Sequence, residues 1–221
     1  MKKILFLGNS YTFVNDMPAI FEKLVKAADI EVKTEMVAKS SAMLIGYLEK
    51  GNEHSDCFYS ALEGENWDHI VLQGHSRLPA MDENGFASPA HELCKLVKER
   101  GIEPVFYQTW PYRDGSCKLS ITNCSYVEMY QKLRDAYRRA AARDHADLVP
   151  AGDVFYRISL HYPEINLLLP DDNHPNIYGS YLVAIMFMFY FYGADTPVNY
   201  RPDEITEEEA EIIIKAIKET I

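Results

Sequence analysis

Cysteine is scarce and scattered. The four residues Cys57, Cys94, Cys117 and Cys124 include no Cys-x-x-Cys pair, which excludes a zinc knuckle and the dense framework of a disulfide-stapled scaffold. Cys117 and Cys124 alone lie close enough in sequence for a local bridge. Positive charge is also short: 22 Lys and Arg stand against 33 Asp and Glu, a formal net charge of -11. That balance argues against nucleic acid and anionic membranes as partners, since both bind clustered cations. The tightest basic group, Arg134, Arg138, Arg139 and Arg143, is interrupted by Asp135 and Asp144 and reads as a solvated helix face. Long apolar runs are missing as well. Ile4-Leu5-Phe6-Leu7 stops at Gly8, too short for the apolar stretch of a signal peptide. The stretch from Tyr181 to Tyr192 is far shorter than the ~20 residues of a membrane span and predicts a buried core helix. A cytoplasmic location is the expectation.

Nucleotide and metal signatures are absent too. There is no Walker A loop, no GxGxxG and no HExxH, and His54, His69, His91, His145 and His161 show no ligand spacing. No metal and no cofactor is expected. What is present is apolar content of 48% without a repeat or a long linker, enough for one core, so a single domain over 1–221 is expected.

Short β-rich runs at 3–8, 30–37, 70–72 and 104–107, with Asp147-Leu148-Val149 as a fifth, alternate with helical patterns at 18–28, 43–50, 88–100, 126–145, 176–192 and 206–219. Asn15 and Asp16 are candidate caps ahead of Pro18, and Thr206 with Glu209 has capping-box spacing. Strands separated by helices imply right-handed crossovers. The predicted fold is therefore α/β, a flavodoxin-like three-layer α/β/α sandwich around a mostly parallel five-stranded sheet. The segment 113–123, rich in small polar residues, reads as a surface loop near the site.

In such a sheet ligands bind beyond the carboxyl ends of the strands, and the first strand runs straight into Gly8-Asn9-Ser10-Tyr11-Thr12. Ser10 stands where a nucleophile belongs, although a serine in that place is also a common helix cap. Near the other end, Asp171-Asp172-Asn173-His174-Pro175 sets a histidine in a polar loop before the buried helix. Neutral near pH 7, an imidazole can take the proton of Ser10 while a carboxylate three residues earlier holds its other nitrogen. Asp172 is the alternative carboxylate if the turn shifts by one.

Together these two motifs resemble the first and last sequence blocks of the SGNH/GDSL hydrolase superfamily, in which a serine turn follows the first strand and Asp-x-x-His precedes the last helix. Val71-Leu72-Gln73 and Gln108-Thr109-Trp110 extend the resemblance to a bacterial branch of that superfamily. It implies an acyl-transfer triad of Ser10, His174 and Asp171. It also implies an oxyanion hole made of the serine N–H, a glycine N–H and an asparagine side chain. Here the glycine block reads Ser40-Ser41-Ala42. The asparagine block reads Gln73-Gly74-His75, where strand counting favours His75 and amide chemistry favours Gln73. Tyr11, Tyr107 and Trp110 are candidate substrate contacts, with core packing as the competing role. The expected partner is a small-molecule ester, with an O-acetylated carbohydrate as the candidate. The altered donor blocks leave open a catalytically silent binding module, and an alcohol replacing water leaves open an acyltransferase.

Overall fold

The computed structural model describes residues 1–221. Five strands, β1 (Lys2–Gly8), β2 (Val32–Ala38), β3 (His69–Gln73), β4 (Glu103–Tyr107) and β5 (Asp147–Val149), form one sheet. Around them run α1 (Ser10–Phe13), α2 (Met17–Ala27), α3 (Ile45–Leu48), α4 (Glu53–Gly64), α5 (Leu78–Met81) and α6 (Glu83–Lys98). The second half adds α7 (Lys118–Thr122), α8 (Tyr126–Asp144), α9 (Ala151–His161), α10 (Ile177–Tyr192) and α11 (Glu207–Lys218).

The strand order is β2-β1-β3-β4-β5 and every pairing is parallel, the order of a flavodoxin-like sheet. Helices cover both faces, which is why β1 reads as an unbroken apolar run. Ile4 and Phe6 pack with α2, α9, α10 and α11 on one face, while Leu5 and Leu7 pack with α4, α6 and α8 on the other. The near-continuous apolar stretch of α10 is explained by burial from Gly179 through Phe189. No helix is long and apolar enough to cross a membrane.

Several local readings need correction. Helix α4 escapes the periodicity because its fully buried side is only Ser55, Phe58 and Leu62. Helix α9 begins with Ala151, Gly152 and Asp153 just after Pro150, which reads as a loop. Helix α6 starts at Glu83 with Asp82 accepting the Gly85 N–H, so Pro89 lies inside it and not at its threshold. Asp16 makes no capping bond, and both it and Asn15 are left-handed, a conformation short polar residues tolerate. The Thr206–Glu209 capping box is present. All four cysteines are free. The basic residues of α8 are paired: Arg138 with Asp153 at 3.0 Å, Arg139 with Glu83 at 2.7 Å and Arg143 with Asp144 at 2.6 Å.

Candidate active site

Strand order reverses direction at β1, whose neighbours are β2 and β3, so the turns leaving all three strands converge at the carboxyl edge of the sheet. Gly8 closes β1 in tight quarters, where a Cβ would lie 2.6 Å from Gln73 Oε1 and run into the Thr12 hydroxyl. Tyr47 donates its hydroxyl to the Gly8 carbonyl at 2.5 Å and to the Val37 carbonyl at 3.1 Å, pinning the ends of β1 and β2 together. Asn9 is extended and caps α1, with its Oδ1 accepting the Tyr11 N–H at 3.2 Å. Its own N–H goes to Gln73 Oε1 at 2.9 Å, and its Nδ2 goes to the Ala42 carbonyl at 3.0 Å. Ser10 therefore opens α1 on a turn bonded to both flanking strands, and as first residue of the helix its N–H has no acceptor within it.

His174 reaches Ser10 from 164 positions away: its Nε2 lies 2.8 Å from Ser10 Oγ. Its Nδ1 lies 2.5 Å from Asp171 Oδ2, and Asp171 Oδ1 accepts the backbone N–H groups of Asn173 at 3.1 Å and His174 at 3.0 Å. Burial works against the charged carboxylate of Asp171. The backbone N–H and ring of His174 and the N–H of Asn173 outweigh it and hold the carboxyl at about 2. The alternative carboxylate, Asp172, is left-handed and turned away, paired with Arg113 Nε at 2.6 Å. The Leu169 N–H donates to the His174 carbonyl at 2.8 Å, and Leu168 bridges Pro175, which closes the loop on itself.

Beneath this loop lies a stack of three rings. Tyr11 and Trp110 are parallel at 4.4 Å, and Trp110 and Phe155 are parallel at 3.9 Å. Tyr11 and Trp110 are 1% and 0% exposed, so both support the site instead of lining an open surface. Tyr107, also 0% exposed, donates to the Tyr11 carbonyl at 3.3 Å from within the core. Of the two roles open to these three residues, their burial favours packing that holds the loops over direct contact with substrate.

The donor blocks separate cleanly. The Gln73 amide is turned inward: its oxygen accepts from Asn9 N–H and from the Thr12 hydroxyl at 3.0 Å, and its nitrogen meets the Gly74 carbonyl. Chemical similarity to asparagine gains no support here, because the amide is buried and its oxygen is used in joining β1 to β3. His75 is half-buried one residue past Gly74, and burial, helped by Arg77, depresses its pKa and favours the neutral ring. Ser40 and Ser41 are exposed in the turn after β2, and Ser41 adopts φ 57, the left-handed conformation that glycine enters without cost.

Residues that the sequence reading passed over complete the frame. Asn15 donates to the Pro175 carbonyl at 3.2 Å and the Ser180 hydroxyl at 2.9 Å, joining the nucleophile segment to the loop of His174. Asn173 accepts the Tyr11 hydroxyl on its side chain and the Trp110 indole N–H on its carbonyl at 3.1 Å. Asn15 carries only the signal of a helix cap, and Asn173 none beyond its nearness to His174.

Hydroxyl, imidazole and carboxylate in one hydrogen-bonded line at the switch point of a parallel sheet is an arrangement of the serine-hydrolase class. No protein-family model matches the chain, and no curated protein does. Solved structures do. A protein from Slackia heliotrinireducens assigned as an SGNH hydrolase is 31% identical, with 84% of this chain and 96% of that one covered at a TM-score of 0.76. A DUF4886 family protein from Bacteroides uniformis aligns over 99% of this chain and 93% of its own at 17% identity and a TM-score of 0.81. The acetyl xylan esterase AlAXEase shares the fold at 14% identity and a TM-score of 0.63, covering 85% and 98%. The chain belongs to the SGNH/GDSL hydrolase superfamily of serine ester hydrolases.

Proposed function

We propose that the protein hydrolyses a small ester, with an O-acetylated carbohydrate as the candidate substrate, through Ser10, His174 and Asp171 and a covalent acyl-enzyme. The observation that carries this reading is the line Ser10 Oγ, His174 Nε2 at 2.8 Å, and His174 Nδ1 to Asp171 Oδ2 at 2.5 Å. Ser10 Oγ attacks the acyl carbon as His174 Nε2 takes its proton. The tetrahedral intermediate collapses, the C–O bond to the alcohol breaks, and His174 returns the proton to the leaving oxygen. Water then repeats the sequence on the acyl-enzyme. Asp171, ionised down to about pH 2, fixes the tautomer with Nδ1–H and stabilises the imidazolium that forms.

For the developing oxyanion this reading uses the Ser10 N–H, a backbone N–H of the Ser40–Ser41 turn and the neutral His75 ring, and leaves Gln73 out. A single donor of this kind contributes about 3–4 kcal/mol in a serine protease. In favour of an acetylated sugar, an acetyl xylan esterase shares the architecture.

The test is release of p-nitrophenol from an acetyl-to-octanoyl ester series by wild type and Ser10→Ala at equal folded concentration. Activity confined to wild type and greatest for the short esters is the expected result. Equal rates in both proteins overturn Ser10 as nucleophile, and a preference for octanoate overturns the small-acyl assignment. Competing alcohols at millimolar concentration in the same assay take most of the acyl group from a transferase, whereas a hydrolase passes most of it to water.

A further inference from the structure

Tyr11 sits directly beside Ser10 in sequence but on the opposite duty in space. Its ring is buried and stacked on Trp110, and its hydroxyl leaves the nucleophile's helix to bond Asn173 Oδ1, next to His174. The His174 ring stands edge-on to the Tyr11 ring, with centroids 5.9 Å apart. Trp110 closes the grip by donating its indole N–H to the Asn173 carbonyl at 3.1 Å. Both carbonyl oxygens of one residue are thus held by two parallel rings, one of them carried on the turn of the nucleophile. Burial pushes the Tyr11 phenol well above its usual range, so it remains a neutral donor wherever the enzyme is folded.

We propose that Tyr11 is a positioning residue: through Asn173 it sets the alignment of His174 against Ser10 from the nucleophile's own turn. The inference rests on the triad reading above. Alignment of reacting groups is steeply rewarded in rate, and a displacement of about 1 Å can cost about 10²-fold. Without the Tyr11–Asn173 bond the loop of His174 remains closed by its own bonds and by the Trp110 clamp, so substrate binding persists while proton transfer loses its geometry.

The experiment is a double-mutant cycle on p-nitrophenyl acetate hydrolysis with Tyr11→Phe, which keeps the ring stack, and Asn173→Ala, with Ser10→Ala run beside it. Each single variant is expected to lower kcat about tenfold with KM within about twofold, and the double variant to be no slower than the worse single, because both remove one bond. Losses that multiply to about a hundredfold in the double variant, or a Tyr11→Phe enzyme with kcat within about twofold of wild type, overturn the proposal. Asn173→Asp restores an acceptor for Tyr11 and is expected to recover most of the lost kcat; failure to exceed Asn173→Ala counts against it. The NMR signal of the His174 Nδ1 proton gives a reading independent of turnover. It is expected to shift alike in Tyr11→Phe and Asn173→Ala, and an unchanged signal in both overturns the proposal. Should Ser10→Ala keep its activity, the triad reading itself falls. Activity lost in Ser10→Ala with an additive cycle removes the role of Tyr11 alone.

Discussion

On one side of Ser10 the loop of His174 is held at almost every residue. Asp171 accepts two backbone N–H groups, Asp172 pairs with Arg113, Asn173 is held by Tyr11 and Trp110, and the Pro175 carbonyl accepts from Asn15. On the other side the turns proposed to supply the oxyanion donors are lightly built. Ser40 and Ser41 are exposed, Ser41 takes a left-handed conformation that a Cβ disfavours, and His75 is only half-buried. In the proposed mechanism proton transfer between Ser10 and His174 demands a short, directed contact in every turnover, and a rigid loop is suited to it. An oxyanion hole needs donors aimed at a position that charge reaches only in the transition state, and a turn with few internal bonds can still supply them. The contrast predicts that the His174 side fails in rate without unfolding, whereas the donor side divides residue by residue between rate and stability.

The largest effect is expected at Asp171. Asp171→Asn leaves an acceptor for the backbone N–H groups but removes the charge that fixes the tautomer, and kcat should fall on the order of 10³–10⁴-fold. A loss below tenfold in steady-state assays would break the comparison at its stronger side. The same variant tests the electrostatics. The folded carboxyl of Asp171 lies at about 2, below the ordinary value near 3.8, so its charged form stabilises the native state at all pH above the unfolded value. The advantage of wild type over Asp171→Asn in urea melts should be flat above about pH 4, shrink as the pH falls, and vanish below about pH 2.

Next come His75 and Gln73, which the sequence could not separate. His75→Ala should lower kcat by about 10–10²-fold with little change in urea midpoint, as expected for a lost oxyanion donor. Gln73→Ala strips the buried acceptor from the Asn9 N–H and the Thr12 hydroxyl, and should cost about 1–3 kcal/mol of folding free energy before any rate is considered. If the two variants exchange these phenotypes, the amide and not the imidazole serves the oxyanion. The smallest effect is expected for Ser41→Gly: relief of the left-handed strain is offset by the greater freedom of an unfolded glycine. Stability should stay within about 1 kcal/mol of wild type and kcat within about twofold. A large loss in the glycine variant would mean that the Ser41 side chain contributes directly.

Much of the architecture was legible because it follows from burial on two faces. The centres of β1, β3 and β4 must be apolar on both faces, and α10 must be apolar nearly all round, so both announce themselves in the chain. Helices α4 and α9 were missed for the opposite reason: a short buried stripe in one and an Ala-Gly-Asp start in the other leave no periodic signal. At the site, Ser10, Asp171 and His174 stood out because strand end and Asp-x-x-His spacing are local properties. The placing of Tyr11, Tyr107 and Trp110 in the core, and the inward turn of Gln73, were not local and were not legible.

By itself the sequence determined the parallel α/β layering and the two motifs that hold a hydroxyl at the end of β1 and an imidazole before α10, because hydrophobic pattern and short spacings encode them. Only the tertiary structure decided that Asp171 and not Asp172 faces His174, that Gln73 is spent inside the fold, and that Tyr11 reaches the loop of His174. Each of those outcomes depends on hydrogen-bond partners far apart in the chain, and a side chain's partner is chosen by the space around it, which exists only once the strands and loops have come together.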